Sequence, residues 1–177
     1  MLRTVMNIVT RNSIKTLLLN SKNELLLVCT EDPKTTSIDG KSHKRFWSCI
    51  GGEMEQGETS QQALLREIEE ETGITPDKIK LGPLVWFGEF DLMLSGTLTH
   101  IKQQFIVAHT TQNDFHLNNL TEEEKPIIKN LKWFPLKDII TCSDVIYPIL
   151  LREHITDIIV GTYPKEPLEL NLGKQPH

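Results

Sequence analysis

The sequence predicts an α/β fold in which a mixed β-sheet carries helices on both faces. Runs rich in β-branched and aromatic residues fall in two blocks, 13–50 and 81–111. A stretch of helix formers at 59–72 separates them, and a second helical spacing follows a short strand near the C-terminus. Strands, helix, strands, helix in that order give a layered mixed sheet. With 177 residues, the chain fits one domain over 1–177, with a core from about 13 to 160 and a proline-containing extension at 161–177.

The elements follow in order. SIKTLLLN and NELLLVCTED are β-compatible runs joined through Ser21 and Lys22, the separation of a hairpin. Residues 31–44 collect Pro, Gly, Ser, Thr and charges into a loop able to border a pocket, and RFWSCI returns to strand character before Gly51 and Gly52. Thr59 to Thr72 reads as a helix with a narrow stripe at Ala63, Leu64 and Ile68, N-capped by Thr59 or Ser60 and stopped by Gly73. LGPLVWFGEFDL and THIKQQFIVAHTT form a long hairpin turning at Ser95 and Gly96. The acidic loop TEEEKP leads to the strand NLKWFPL. Residues 138–159 then carry helical spacing at Val145, Ile146, Ile149, Leu150 and Ile155, with Pro148 starting or kinking the last helix. The tail beyond Gly161 reads as extended chain laid over the surface.

Composition narrows the functional classes. Hydrophobic residues make up 38% and charged residues 24%, with a net charge of -5, so neither disorder nor nonspecific binding to long nucleic acid or an anionic membrane is expected. Cys29, Cys49 and Cys142 form no CxxC pair, which argues against a zinc site or a disulfide framework and for a reduced, cytoplasmic setting. The longest apolar runs are too short to cross a bilayer. Residues 1–23 contain four basic residues and no acid, as a transit peptide would, but SIKTLLL already reads as a strand.

Glutamates crowd the end of the first helix. At about 100° per residue, Glu67, Glu70 and Glu71 share one face while Glu69 points away, and like charges at this spacing repel. Glu58 joins them from the preceding loop. Such a set of hard oxygens suits Mg²⁺, with Mn²⁺ a second choice. Arg66 can pair bidentately with a carboxylate and fix a ligand, and the two glycines allow a tight turn that offers a carbonyl. The competing explanation is a solvated acidic face.

The spacing decides between them. Gly52, five residues, Glu58, seven residues, then REIEEETGI over 66–74 matches GX5EX7REUXEEXGU throughout, with Ile68 and Ile74 at the apolar positions. Seven fixed identities make a chance match on the order of one in a billion per starting position. The segment resembles the signature box of the Nudix, or MutT-like, hydrolases; RFWSCIGG and NLKWFPLKDI resemble the family's flanking strands. The resemblance implies a Nudix α/β/α sandwich, a mixed β-sheet flanked by helices with the box as loop-helix-loop. It also implies metal-dependent hydrolysis of a nucleoside diphosphate linked to another moiety, giving a nucleoside monophosphate and the phosphorylated remainder.

By that resemblance Glu67, Glu70 and Glu71, with the Gly52 carbonyl, are the metal ligands, and Glu70, Glu67, Arg66 and Glu58 form the catalytic set. The proton acceptor stays open among the box glutamates and Glu89, Glu122, Glu123 and Glu124. Arg45 and Lys44, just upstream, are the candidate phosphate contacts. Trp47, Trp86, Phe87 and Trp133 are candidate base stackers, with core packing as the alternative. Cys49 reads as a small buried residue rather than a nucleophile.

The substrate stays open. Glu89 stands where ADP-sugar enzymes resemble one another in having proline, and Phe90 stands where dinucleoside polyphosphate enzymes often have tyrosine. The NADH and coenzyme A signatures are missing. An isopentenyl diphosphate isomerase would alter the box, and a nucleotide-sensing module would usually lose box glutamates; neither change is present. A cap hydrolase of long RNA finds no basic, aromatic-interleaved patch. The expected partner is a small nucleotide, with homodimerisation common among relatives.

Overall fold

A computed structural model describes residues 8–36, 38–39 and 45–176. Nine strands form one mixed sheet among these residues: β1 (Val9–Leu19), β2 (Leu25–Thr30), β3 (Thr35–Thr36), β4 (Phe46–Glu53), β5 (Ile79–Leu94), β6 (Thr97–Thr110), β7 (Ile128–Phe134), β8 (Ile146–Tyr147) and β9 (Leu168–Glu169). The helices are α1 (Ser60–Thr72), α2 (Leu136–Thr141) and α3 (Leu151–Ile159).

The first hairpin forms and then opens. Asn20 shapes its turn, its side-chain oxygen accepting from the backbone of Lys22 and Glu24 at 2.9 and 3.0 Å. β1 and β2 pair only at Leu19↔Leu25. Beyond that point β4 lies between their diverging ends, pairing with β2 at Leu27–Thr30 and with β1 at Ser13–Thr16. Lys15 is thereby set opposite Gly51. Along its other edge β1 runs parallel to β6 from Val9 to Leu19, and β6 closes the long hairpin with β5. That hairpin turns at Ser95 and Gly96, both at positive φ.

Alternation along the strands divides the core between two faces. Ile14, Leu18, Leu26 and Ile50 pack against Ala63, Leu64 and Ile68 of α1. Leu17, Leu27, Cys49 and Phe105 share the opposite core with Ile139, Leu151 and Ile155 of α2 and α3. The sheet is thus covered on both sides, the sandwich the box resemblance implied.

Two expectations need correction. Val145 and Ile146 do not belong to the last helix: Ile146 lies in β8, which pairs parallel with β4 at Trp47 and Ser48, and α3 begins at Leu151, three residues after Pro148. Apolar residues at helical spacing also fit a two-residue strand bordered by turns, and sheet pairing decides which forms. The tail is extended, but it does more than cover the surface. β9 pairs parallel with β5 at Trp86 and Phe87, and Leu170 and Leu172 are buried in the α2–α3 core.

Candidate active site

Helix α1 is held at both ends by its own sequence. Thr59 caps it, its hydroxyl accepting from Gln62 N at 3.2 Å while the Gln62 side chain accepts from Thr59 N at 2.9 Å. Gly73 ends it in the left-handed conformation, φ 74°, with its N–H on Glu69 O. A Cβ there would overlap the His116 ring. The loop carrying His116 and Asn119 binds the last turn, through His116 N to Thr72 O at 2.8 Å and Asn119 Nδ2 to Glu69 O at 3.1 Å.

Arg66 organises the acidic face. Its Nε and Nη2 grip both Glu58 oxygens at 2.7 and 2.9 Å, and Nη1 donates to Glu67 at 2.8 Å and Glu70 at 3.2 Å. Nη2 also donates to Glu53 O at 3.1 Å, fastening the loop before the helix. The guanidinium holds the Glu58 carboxyl down at about 2. Arg66 itself is raised by its hydrogen bond to Glu58, Glu67 adding to the effect. Burial pushes Glu67 up, and Arg66 only partly offsets this.

Glu71 lies deeper, 7% exposed. It accepts from Gly51 N at 2.8 Å. Burial raises it to about 7, while the positive charge of Lys15 and the Gly51 bond lower it and the charges of Glu67 and Glu124 add to the rise. Lys15 Nζ donates to Gly51 O at 2.6 Å, and Ser13 Oγ donates to Gly52 O at 3.2 Å. The backbone requires glycine at 51, while a side chain at 52 would push the Glu67 carboxylate aside. A Cβ on Gly51, φ 133°, would lie 2.1 Å from Ile14 O, and one on Gly52 would lie 2.7 Å from the Glu67 carboxylate.

These residues fit a hard divalent cation in their chemistry. Gly52 leaves open the space a side chain would fill beside Glu67. Glu67, Glu70 and Glu71 each have one oxygen engaged by the protein. Their second oxygens take no hydrogen bond among the described residues. The acids do not converge by themselves: among those residues no three His, Cys, Asp or Glu side chains stand in metal-ligating geometry. Arg66 neutralises Glu67 and Glu70, and Gly51 holds Glu71.

A cavity of about 180 Å³ opens on the opposite face of the sheet, lined by Lys15, Phe46, Ser48, Cys49, Phe90, Gln103, Phe105, Tyr147, Leu172 and Gln175 among others. Phe46 and Tyr147 meet edge to face at 5.3 Å. Lys15 belongs to both places, lining the cavity while bonding the residue that holds Glu71. The sequence reading missed Lys15; the signal would have been a lone lysine in an apolar strand, and only strand pairing shows what it faces.

The other candidates are dispersed. Arg45 immediately precedes the far end of β4, near Cys29, Asp144 and Glu31, roughly 20 Å of extended strand from Gly51; Lys15 instead reaches the glycine pair. Lys44 lies outside the described residues. Trp47 and Trp86 are core residues, 5% and 1% exposed, Trp133 donates its indole N–H to Asn113 O at 2.8 Å, and Phe87 is exposed. The rings lining the cavity are Phe46, Phe90, Phe105 and Tyr147 instead. Glu89 is engaged by His100 at 3.1 Å, Glu122 pairs with Lys125, and Glu123 lines a separate hollow with Glu31 and Asp32. Glu124 accepts from Thr121 and is the loop acid whose charge reaches Glu71. Cys49 is almost wholly buried and its thiol is pushed up to about 12, so it stays neutral. No helix is long and apolar enough to cross a membrane among the described residues.

Comparison with known proteins agrees with this fold. The family model for the NUDIX domain matches residues 9–151. The fold is similar to that of the MutT protein from Methanosarcina mazei, TM-score 0.55 at 23% identity over 83% of this chain and 91% of that one. It is also similar to an Ap4A hydrolase from C. elegans, 0.54 at 18% over 85% and 98%. A third likeness is to the E. coli dihydroneopterin triphosphate pyrophosphohydrolase, 0.57 at 17% over 86% and 98%. No curated protein matches the sequence. With the family model spanning most of the chain and every box position filled, the protein belongs to the NUDIX domain family.

Proposed function

We propose that the protein hydrolyses the diphosphate linkage of a nucleoside diphosphate derivative with Mg²⁺, or Mn²⁺ in its place, giving a nucleoside monophosphate and the phosphorylated remainder. One observation carries this reading: Gly51 joins the acidic helix to the cavity, with Glu71 on its N–H and Lys15 on its carbonyl. Phosphates placed there lie between a cation site and a lysine, with an aromatic-lined cavity for the nucleoside.

Glu67, Glu70, Glu71 and the Gly52 carbonyl would hold the cation, which when bound neutralises phosphate charge and orients the reacting oxygens. The protein's own residues do the rest. Arg66 fixes the rotamers of Glu67 and Glu70 and is itself fixed by Glu58. Lys15 attracts the phosphate chain from the cavity side. Water attacks phosphorus, the bond to the bridging oxygen breaks, that oxygen leaves with the remaining phosphate, and the water proton passes to a carboxylate. Among the loop acids we assign this role to Glu124, whose charge adds to the rise in Glu71.

The relatives support a phosphoanhydride substrate, two of them being named for Ap4A and for a pterin triphosphate. The test is turnover of nucleoside triphosphates, nucleotide sugars, dinucleoside polyphosphates and dinucleotide cofactors with Mg²⁺ and with Mn²⁺, beside Glu70→Gln. Cation-dependent cleavage that collapses in the variant supports the reading. Tight nucleotide binding with no cleavage of any compound would instead make the protein a sensing module.

A further inference from the structure

We propose that the C-terminal tail, residues 162–176, forms a wall of the substrate cavity and selects the nucleobase through Leu172 and Gln175. This rests on the reading of the cavity as the nucleoside site. The tail lies beyond residue 151, where the family match ends.

The tail is built into the fold. β9 adds to the edge of β5, and Leu170 N donates to Phe87 O at 2.8 Å. Leu170 and Leu172 are 5% and 7% exposed. Gly88 makes room for them: a Cβ there would lie 2.4 Å from Leu170 O and 2.7 Å from Leu172 Cγ. Lys174 reaches Glu153 of α3 at 3.3 Å.

Seated this way, the tail brings Leu172 and Gln175 to the cavity that Phe46, Phe90 and Gln103 also line. The wall is chemically selective. Rings and Leu172 accept the faces of a planar heterocycle, whatever its identity. The carboxamides of Gln103 and Gln175 each offer donors and an acceptor, which distinguish one base edge from another. Gln175 gives up little to do so, because its amide makes only a 3.3 Å bond to Gly173 O. A site that hydrogen-bonds a substrate group discriminates far better than an apolar one.

Dissociation constants of ADP, GDP, CDP and UDP, measured with Mg²⁺, test this in the wild type, Gln175→Ala, Leu172→Ala, Lys174→Ala and Ser48→Phe. The wild type should separate best from worst base by about tenfold. Gln175→Ala should reduce that separation to about threefold or less, and Lys174→Ala should keep it. Gln175 is exposed, so its variant reports on selection without disturbing the core that Leu172 joins. Ser48→Phe narrows the cavity from β4 and should weaken all four nucleotides. If Ser48→Phe weakens binding while Gln175→Ala and Leu172→Ala keep the wild-type preference, the tail inference fails and the cavity reading stands. If Ser48→Phe changes nothing, the cavity is not the nucleoside site and both fail. A wild type with no preference among bases also overturns the inference.

Discussion

Lys15 and Glu71 are tied to the same residue from opposite sides, Lys15 donating to Gly51 O at 2.6 Å and Glu71 accepting from Gly51 N at 2.8 Å. With Gly51 and Gly52 between them, only backbone separates a cation in the cavity from a buried acid behind the sheet.

That link sets a pH dependence. Glu71 is raised from an ordinary 4.5 to about 7. Between those values the folded chain keeps a proton that the unfolded chain releases, so stability falls as pH rises through this window. In cation-free buffer the melting temperature should decline from pH 4.5 to 7, and Glu71→Gln should flatten the decline. Mg²⁺ should flatten it also, since a bound cation favours the ionised acid. Lys15→Met, which removes the opposing charge, should steepen it. Glu58, held at about 2 by Arg66, has the opposite sign: its contribution is present above 4.5 and is lost as pH falls toward 2. A melting profile unchanged by Glu71→Gln would disprove the assignment.

Arg66 makes five donor contacts, to Glu58, Glu53, Glu67 and Glu70. Arg66→Lys keeps the charge but loses the planar fork. Activity should fall by about tenfold or more, while the melting temperature changes far less than in Arg66→Ala, which strands the buried Glu67. Steady-state kinetics beside calorimetry separates the two effects.

Gly88→Ala should unseat the tail without touching the box. Its Cβ would lie 2.4 Å from Leu170 O, so β9 must shift or detach. Hydrogen exchange at Leu170 N, bonded to Phe87 O at 2.8 Å, should accelerate, and amides in α1 should keep their protection. Equal acceleration in both places would show a global loss of stability instead.

Thr16 is wholly buried, and its hydroxyl lacks a partner among the described residues. An unsatisfied buried hydroxyl costs about 1 kcal/mol or more. Thr16→Val preserves the shape and should raise the melting temperature by roughly 2–4 °C. A lower midpoint would mean that the hydroxyl has a role these contacts do not show.

The sequence by itself determined the α1 segment almost completely. Its cap, narrowed to Thr59 or Ser60 and found at Thr59, its stop at Gly73 and the shared face of Glu67, Glu70 and Glu71 are local, set by helical period and capping chemistry. The long hairpin was equally legible, because the turn at Ser95 and Gly96 lies between its strands. What only the tertiary structure decided involves residues distant in the chain. Lys15 meets Gly51 because β4 crosses from β2 to β1; Ile146 is strand rather than helix because β4 has an edge to fill; and the tail becomes a cavity wall because Gly88 lacks a side chain. Pairing and packing partners of this kind leave no periodic trace in a single sequence, since each is chosen by which edges and gaps remain once the other elements have assembled.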